Sequence, residues 1–228
     1  MAGISYTQIE SQLSRPRLNR YLFAVGNNKI KAVQLYKANL RISKSFYPLI
    51  NILEIAVRNS FDKVISNHFN DTDWIINQQN GFMSHNSLRQ GNFYLKQQIS
   101  NAIRNLRNRN TTVTSGKVIA EQTFGFWTSL LKPHHYRLLQ GKPIYTFPHC
   151  PHNYQRNDFL RELNKLRDFR NKIHHNEPVC FSNNTVNFST AVEIHNLILE
   201  VLDWIDGNFG WIKDLDEVMS EIHKASKI

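Results

Sequence analysis

Hydrophobic side chains recur with helical spacing along nearly the whole chain. The most regular stripe steps by three and four residues through Phe46, Leu49, Ile50, Leu53, Val57, Phe61, Val64 and Ile65. Apolar residues at i, i+3, i+4 and i+7 occupy one face of an α-helix. Ser43 is a favoured N-cap residue type just before the stripe, and Pro48 falls within its first two turns. The pattern predicts a long central helix that begins near Ser43.

The remaining helical segments complete an all-α pattern. A second stripe runs from Leu88 to Leu106, and an unusually apolar segment at 116–131 predicts a single helix bounded by Pro133. Further stripes follow at 159–173, 190–205 and 215–222, whereas strand signals are confined to a small hairpin around Asn183 and Asn184. We therefore predict one all-α domain over residues 1–228, a bundle of about seven or eight helices.

The net charge of +10 comes from 28 basic and 18 acidic residues, and it is unevenly spread along the sequence. Residues 74–157 contain ten Lys or Arg and a single acid, Glu121, which gives a net +9. Phosphate neutralisation by such a surface supplies affinity for nucleic acid. Within this region we predict an RNA-binding cluster that comprises Arg104, Arg107, Arg109 and Lys117. The alternative is that these cations simply solvate helix faces.

Several classes of protein are excluded by composition and motif. The N-terminal residues 1–13 are polar, no apolar run reaches membrane-spanning length, and only two cysteines occur, which together predict a cytoplasmic protein. The glycines never form Gly-x-Gly, and P-loop, His-Glu-x-x-His and Gly-x-Ser-x-Gly motifs are missing from the sequence. The histidines at 134–135 and 149–152 match no closed zinc spacing. We predict neither a metal nor a cofactor.

The segment 167–178 concentrates cations, an amide and two imidazoles at the end of an amphipathic helix. At 100° per residue, His174 lies about 40° from Arg170 around the helix, and His175 lies about 140° away unless the helix unwinds before Pro178. Helical geometry alone therefore makes His174 a rival to His175 as the partner of Arg170. The simplest interpretation is that these cations cap a helix C-terminus, where positive charge is favoured.

Three blocks of the sequence nevertheless resemble a known family. Arg170-Asn171-x-x-x-His175 has the form of the Arg-x4-6-His motif of HEPN-domain ribonucleases. The string RNKIHHNEP at 170–178 resembles the Abi-like (AbiD/AbiF) bacterial abortive-infection proteins, as do LEIAVRN at 53–59 and GKVIAE at 116–121 continuing to FGFW at 124–127. The family usually shows His-His-Glu-Pro, whereas Asn176 stands here in place of its second histidine.

The resemblance implies a HEPN four-helix core, a homodimer, and metal-independent RNA cleavage through the ribose 2′-hydroxyl. It also implies a role in phage defence, with a possible antitoxin RNA or protein as partner. Arg170, Asn171 and His175 would be catalytic, because imidazole moves protons at neutral pH and guanidinium contacts phosphate.

Four further residues are expected in supporting roles. Besides His174, they are Glu54, Arg58 and Glu121. Glu54 would hold Arg170 or Arg58, or would form an ordinary buried ion pair. Glu121 is expected to act in catalysis or as the structural partner of a nearby arginine. The competing functional class is a non-catalytic RNA-binding module that keeps the same fold and basic surface.

Overall fold

The computed structural model describes residues 6–228, so the first five residues of the polar N-terminal stretch lie outside it. It is 72% helical, and the predicted all-α fold is confirmed. The helices are α1 (Tyr6–Leu13), α2 (Arg15–Ala24), α3 (Lys29–Phe69), α4 (Trp74–Asn77), α5 (Tyr94–Asn108), α6 (Ser115–Ala120), α7 (Phe124–Ser129), α8 (Pro133–Leu138), α9 (Arg156–His174), α10 (Ser189–Ile205) and α11 (Val218–Ala225). Short 3₁₀ helices cover Phe82–Ser84, Asn86–Gly91, Lys142–Thr146 and Phe209–Leu215.

The predicted hairpin is present as two short antiparallel strands, β1 (Phe181–Ser182) and β2 (Thr185–Val186). Phe181 pairs with Val186 and Ser182 pairs with Thr185. Asn183 adopts a left-handed φ of 55° in the turn, a conformation that asparagine tolerates better than most residues.

Helix α3 is longer than the hydrophobic stripe predicts. It begins at Lys29 rather than near Ser43, because Asn28 Oδ1 accepts hydrogen bonds from the backbone N–H groups of Ile30 and Lys31, each at 3.1 Å. The apolar spacing continues upstream through buried Ala32, Leu35 and Ile42. Pro48 is accommodated inside the helix.

The single helix predicted at 116–131 is wrong, since the chain breaks it into α6 and α7. Thr114 caps α6 by accepting from the backbone N–H of Lys117 at 3.4 Å. The buried Gln122 side chain donates to the carbonyl oxygen of Val118 at 2.8 Å, which satisfies a carbonyl at the helix end. Extended backbone at Thr123 then begins α7. Hydrophobicity over a whole segment does not reveal such a polar interruption.

Contacts divide the chain into two compact units. Unit 1 contains residues 6–51, 168–198 and 211–228, and unit 2 contains residues 52–167 and 199–210. One core cluster of unit 1 comprises Tyr6, Ile9, Leu18, Tyr21, Ala32, Leu35, Tyr36 and Cys180. The core of unit 2 is aromatic: Phe147 stacks on Phe159 with ring centroids 4.6 Å apart, and Phe61 contacts both Phe147 and Trp127. Two compact units can belong to one domain or to two, so the single domain over residues 1–228 stays a prediction.

Residues 6–228 contain neither a membrane-spanning helix nor a cluster of metal-ligating side chains. None of the helices in this range combines the length and apolar character that crossing a membrane requires. Within the same range, no three His, Cys, Asp or Glu side chains are grouped so that they could hold a metal ion.

Candidate functional site

The candidate site lies at the C-terminal end of α9, which closes in a Schellman motif. The backbone N–H of Glu177 donates to the carbonyl oxygen of Lys172 at 2.8 Å, and that of Asn176 donates to Ile173 at 3.0 Å. Asn176 supplies the left-handed residue that this motif requires, with φ of 55°. Pro178 follows and prevents any continuation of the helix. The local sequence therefore dictates a sharp stop after His175.

Contacts within unit 1 hold this helix end in place. The ring of Phe169 on α9 packs edge-on against that of Phe46 on α3, with centroids 4.8 Å apart. Beyond the helix, the backbone N–H of Val179 donates to the buried side-chain oxygen of Asn39 at 2.8 Å. Arg17 on α2 donates to the carbonyl oxygen of Asn176 at 3.1 Å. The segment that follows the helix is thus fixed by hydrogen bonds from both α2 and α3.

The four polar side chains of the motif differ in exposure. Arg170 and Asn171 are half-buried, whereas His174 and His175 are exposed. A guanidinium nitrogen of Arg170 donates to the amide oxygen of Asn171 at 3.3 Å. The resulting arrangement is a positioned guanidinium and amide near the end of the helix, with two imidazoles open to solvent at its tip.

The backbone does not unwind before His175. Its N–H donates to the carbonyl oxygen of Asn171 at 2.9 Å, the same i to i−4 bond that the helix uses. Ideal angles therefore hold at this end, which places His174 about 40° and His175 about 140° from Arg170 around the helix axis. Within one chain, the helix favours His174 as the neighbour of Arg170.

The end of α5 repeats this architecture. Residues 104–110 read RNLRNRN where residues 170–176 read RNKIHHN, so Arg-Asn begins each and Asn closes each. At α5 the backbone N–H of Thr111 donates to Leu106, and that of Asn110 donates to Arg107, each at 2.9 Å. Asn110 has φ of 52°. The same Schellman motif therefore ends both helices.

No family model, curated protein or solved structure matches this chain.

The two helix ends differ in the residue at the C-cap and in its partner. His175 occupies this position at α9, and Arg109 occupies it at α5. A guanidinium nitrogen of Arg109 lies 2.6 Å from a carboxylate oxygen of Glu121. Glu121, expected either in catalysis or as the partner of an arginine, thus has a structural partner in Arg109. Such partly exposed pairs contribute about 0–1 kcal/mol to stability.

The other predicted RNA-binding side chains are exposed on unit 2. Arg104, Arg107 and Lys117 all project into solvent. Arg104 also donates to the side-chain oxygen of Asn101 at 2.8 Å. Glu121 neutralises Arg109. The other three predicted cations make no ion pair with a carboxylate among the described residues, so they are the ones able to contact phosphate.

Glu54 and Arg58, the remaining supporting residues, lie one turn apart on α3. Both are half-buried, and Arg58 makes a 3.5 Å contact with the side-chain oxygen of Asn59. Aromatic residues of the resembled 124–127 block belong to the core: Phe124, Phe126 and Trp127 are 5%, 0% and 1% exposed. These rings are therefore not available to stack on RNA bases.

Our reading of the sequence missed the duplication of the helix end. The signal was the pair of RN-x-x-x-x-N strings at 104–110 and 170–176, each with Asn at the C′ position. The repeat shows that the asparagine closing each string has a structural role, because it supplies the left-handed residue of the helix end. What distinguishes α9 is its imidazoles.

Proposed function

We propose that this protein is a metal-independent endoribonuclease in which Arg170, Asn171 and His175 act on RNA, with His174 as the competing proton-transfer group. The observation that carries the proposal is the exposure of two imidazoles at an anchored helix end that also bears a half-buried arginine and asparagine. The resemblance of residues 53–59, 116–127 and 170–178 to Abi-like HEPN proteins supports the same assignment.

The proposed reaction is an internal transfer within RNA. A neutral imidazole takes the proton from a ribose 2′-hydroxyl, and the 2′-oxygen forms a bond to the adjacent phosphorus. The bond from phosphorus to the 5′-oxygen breaks, and an imidazolium returns a proton to that oxygen. The products are a 2′,3′-cyclic phosphate and a 5′-hydroxyl. Arg170 stabilises the charge that develops on the phosphate oxygens, and Asn171 orients one of them.

The proposal includes a homodimer with both 170–175 segments at the interface. Two Arg-His pairs across a twofold axis would enclose a phosphate between cations. The imidazole of one protomer could then act beside the guanidinium of its partner, so Arg170 and His175 would not have to lie on the same face of one helix. Light scattering of the active protein should give twice the chain mass of 26.7 kDa. A monomer that still cleaves RNA would contradict this part of the proposal.

We propose that this protein acts in the cytoplasm as a defence protein, and that an antitoxin RNA or protein restrains its activity. The resemblance to abortive-infection proteins motivates this role, and both cysteines, Cys150 and Cys180, are unpaired thiols. Free thiols are typical of a reducing compartment.

The testing experiment is incubation of the purified protein with total RNA in EDTA, followed by mapping of the cleaved ends. We expect 2′,3′-cyclic phosphate ends in EDTA and none with His175→Ala, while His152→Ala, an exposed loop histidine, should cleave as the wild type does. Cleavage that requires added metal, or intact RNA throughout, would overturn the assignment.

A non-catalytic RNA-binding module is the second candidate, and one observation favours it. The backbone stays helical up to the N–H of His175, which turns His175 away from Arg170 within one chain. On this hypothesis the imidazoles and arginine cap a helix C-terminus, where positive charge is favoured. At α5, Arg109 donates to the carbonyl oxygen of Asn105 at 3.3 Å. RNA binding without cleavage, unaffected by His174→Ala and His175→Ala, would establish it.

A further inference from the structure

Positive charge is shared equally between the two units once the chain is folded. Residues 6–51, 168–198 and 211–228 of unit 1 carry thirteen basic and eight acidic side chains, a net +5. Unit 2 carries fifteen basic and ten acidic side chains, which is also a net +5. The sequence alone assigns nearly all of the excess to residues 74–157. Half of the excess positive charge therefore lies in unit 1, where five cations form a second basic surface that the linear distribution hides.

This basic surface is concave. A cavity of about 420 Å³ in unit 1 is lined by seven residues, five of which are Lys31, Lys37, Arg41, Lys224 and Lys227. The first three lie on one face of α3, and the other two lie in and just after α11. All five are exposed to solvent. Two chain segments almost two hundred residues apart thus bring their cations together around one cavity.

An acidic residue holds two of these cations from outside the lining. Glu221 contacts Arg41 Nε at 3.2 Å and Lys224 Nζ at 2.6 Å. The hydrogen bond from Lys224 and the nearby charges of Lys224 and Arg41 lower the pKa of the Glu221 carboxyl below its usual value. Glu221 stays anionic at neutral pH and fixes both cations, while Lys31, Lys37 and Lys227 add uncompensated positive charge at the cavity.

The lining indicates which ligand the cavity suits. None of the seven lining side chains, all within the described part of the chain, is acidic or aromatic. Base recognition in single strands relies on aromatic stacking, which these residues cannot supply. Flexible lysines that bear point charges are suited to phosphate. The α3 face from Lys31 to Arg41 extends about 15 Å along the helix axis, enough to meet several consecutive phosphates of a nucleic-acid strand.

We propose that this α3–α11 cavity binds the phosphate backbone of RNA, independently of base sequence. The proposal rests on the proposed function for the identity of the polyanion, since it names where unit 1 holds the RNA that the nuclease cleaves. It does not depend on cleavage, because phosphate contacts position a strand whether or not a reaction follows. Arg41 and Lys224 are preset by Glu221, and the three lysines add flexible contacts.

The test is the salt dependence of binding to a fluorescent single-stranded 2′-O-methyl RNA, measured by anisotropy on the full chain. This probe cannot undergo attack by a 2′-hydroxyl, so its binding is separate from catalysis. Lys31→Gln/Lys37→Gln removes two cavity charges without disturbing the Glu221 pairs. Each single-strand phosphate contact contributes a slope of about 0.7 in log affinity against log salt, so we expect the slope to fall by about 1.4.

The matched control is Arg15→Gln/Lys213→Gln, which removes the same charge from exposed positions of unit 1 outside the cavity. We expect this variant to lower the slope by less than half as much. Equal slopes for wild type and the cavity variant, or no RNA binding by the wild type at low salt, would overturn the proposal. RNA that binds through the cavity but is never cleaved would uphold it and overturn the nuclease instead.

A second arm separates RNA from a free phosphate ligand. Inorganic tripolyphosphate is titrated into the wild type and into Lys31→Gln/Lys37→Gln by calorimetry. If RNA is the ligand, tripolyphosphate should bind weakly and compete with the labelled strand. Tight tripolyphosphate binding that the cavity variant loses, combined with an unchanged RNA slope, would show that the cavity serves a small phosphate compound and would contradict our assignment.

Discussion

The ends of α5 and α9 share the same backbone structure but carry different side chains at the C-cap. Each carries Arg-Asn one turn or more before the end, closes with the same pair of backbone hydrogen bonds, and turns at an asparagine with φ of 52° or 55°. The helix dipole favours positive side chains near a C-terminus, and both of these helix ends are C-termini. At α5 the C-cap arginine is neutralised by Glu121, whereas α9 ends in two exposed histidines.

The two ends differ in the side chains that could take part in a reaction, and they agree in those that close the helix. The left-handed turn explains the closing asparagine at both ends, so the presence of that asparagine does not point to catalysis. Arginine cannot accept a proton at neutral pH, whereas histidine can. Only α9 therefore has groups able to move a proton from a hydroxyl. Substitutions made in pairs, one at each helix end, test whether this chemical difference matters.

The largest expected effect follows from Arg170→Ala against its counterpart Arg104→Ala. Loss of one preorganised electrostatic contact to a developing phosphate charge typically lowers the rate about 10²–10³-fold. We expect that loss for Arg170→Ala in single-turnover cleavage at saturating RNA, and a rate within about threefold of wild type for Arg104→Ala. Comparable losses from both substitutions would mean that the two ends are functionally equivalent.

A smaller effect is expected on RNA affinity when Arg104, Arg107 and Arg109 are all replaced by Gln. Because Glu121 already neutralises Arg109, two phosphate contacts should disappear rather than three. At about 0.7 per contact, the slope against log salt should fall by about 1.4, which is a change of about sevenfold in affinity between 50 and 200 mM salt. An anisotropy titration that shows no change in slope would remove this cluster from the binding surface.

Stability should respond equally at the two ends. Alanine in the left-handed region is strained more than asparagine, so Asn110→Ala and Asn176→Ala should each lower the free energy of unfolding by about 1 kcal/mol. Urea unfolding of the two variants provides the measurement. If one substitution were neutral and the other costly, the two Schellman motifs would not be energetically alike.

The smallest expected effect concerns Glu121→Gln, which should release Arg109 for phosphate contact. We expect the salt slope of RNA binding to rise by up to about 0.7, equivalent to about threefold in affinity over the same salt range. The cleavage rate at saturating RNA should stay unchanged, since Glu121 pairs with Arg109. A rate that falls more than tenfold would return Glu121 to the catalytic site.

The sequence pattern predicted the helical class but misplaced several boundaries, for local polar reasons. Asn28 begins α3 through two side-chain hydrogen bonds, and a favoured cap type also occurs at Ser43 in the helix interior. The Gln122 side chain donates to the carbonyl oxygen of Val118 at the end of α6, although the apolar pattern continues without a break into α7. The spacing of hydrophobic residues indicates which face of a helix is buried. The residues at which a helix begins and ends depend on individual hydrogen bonds, which that spacing does not predict.

The placement of residues 170–176 together at a helix end was predictable because they are adjacent in sequence, and their role in catalysis stays a prediction. The Arg109–Glu121 contact was predicted only as one of two alternatives, because side-chain pairing across a loop depends on how α5 and α6 meet. The α3–α11 cavity could not be predicted at all. Its cations come from the N-terminal region and from a C-terminal segment whose own net charge is negative.

The most direct test of the account is single-turnover cleavage of RNA in EDTA by His175→Arg, with His174→Ala measured beside it. His175→Arg gives α9 the same C-cap residue as α5 and keeps a side chain that donates hydrogen bonds to phosphate. We predict that it binds RNA at least as tightly as the wild type and loses at least about 100-fold in rate, because arginine cannot accept the hydroxyl proton. His174→Ala should keep most of the rate. Wild-type cleavage by His175→Arg would contradict the assignment of proton transfer to His175.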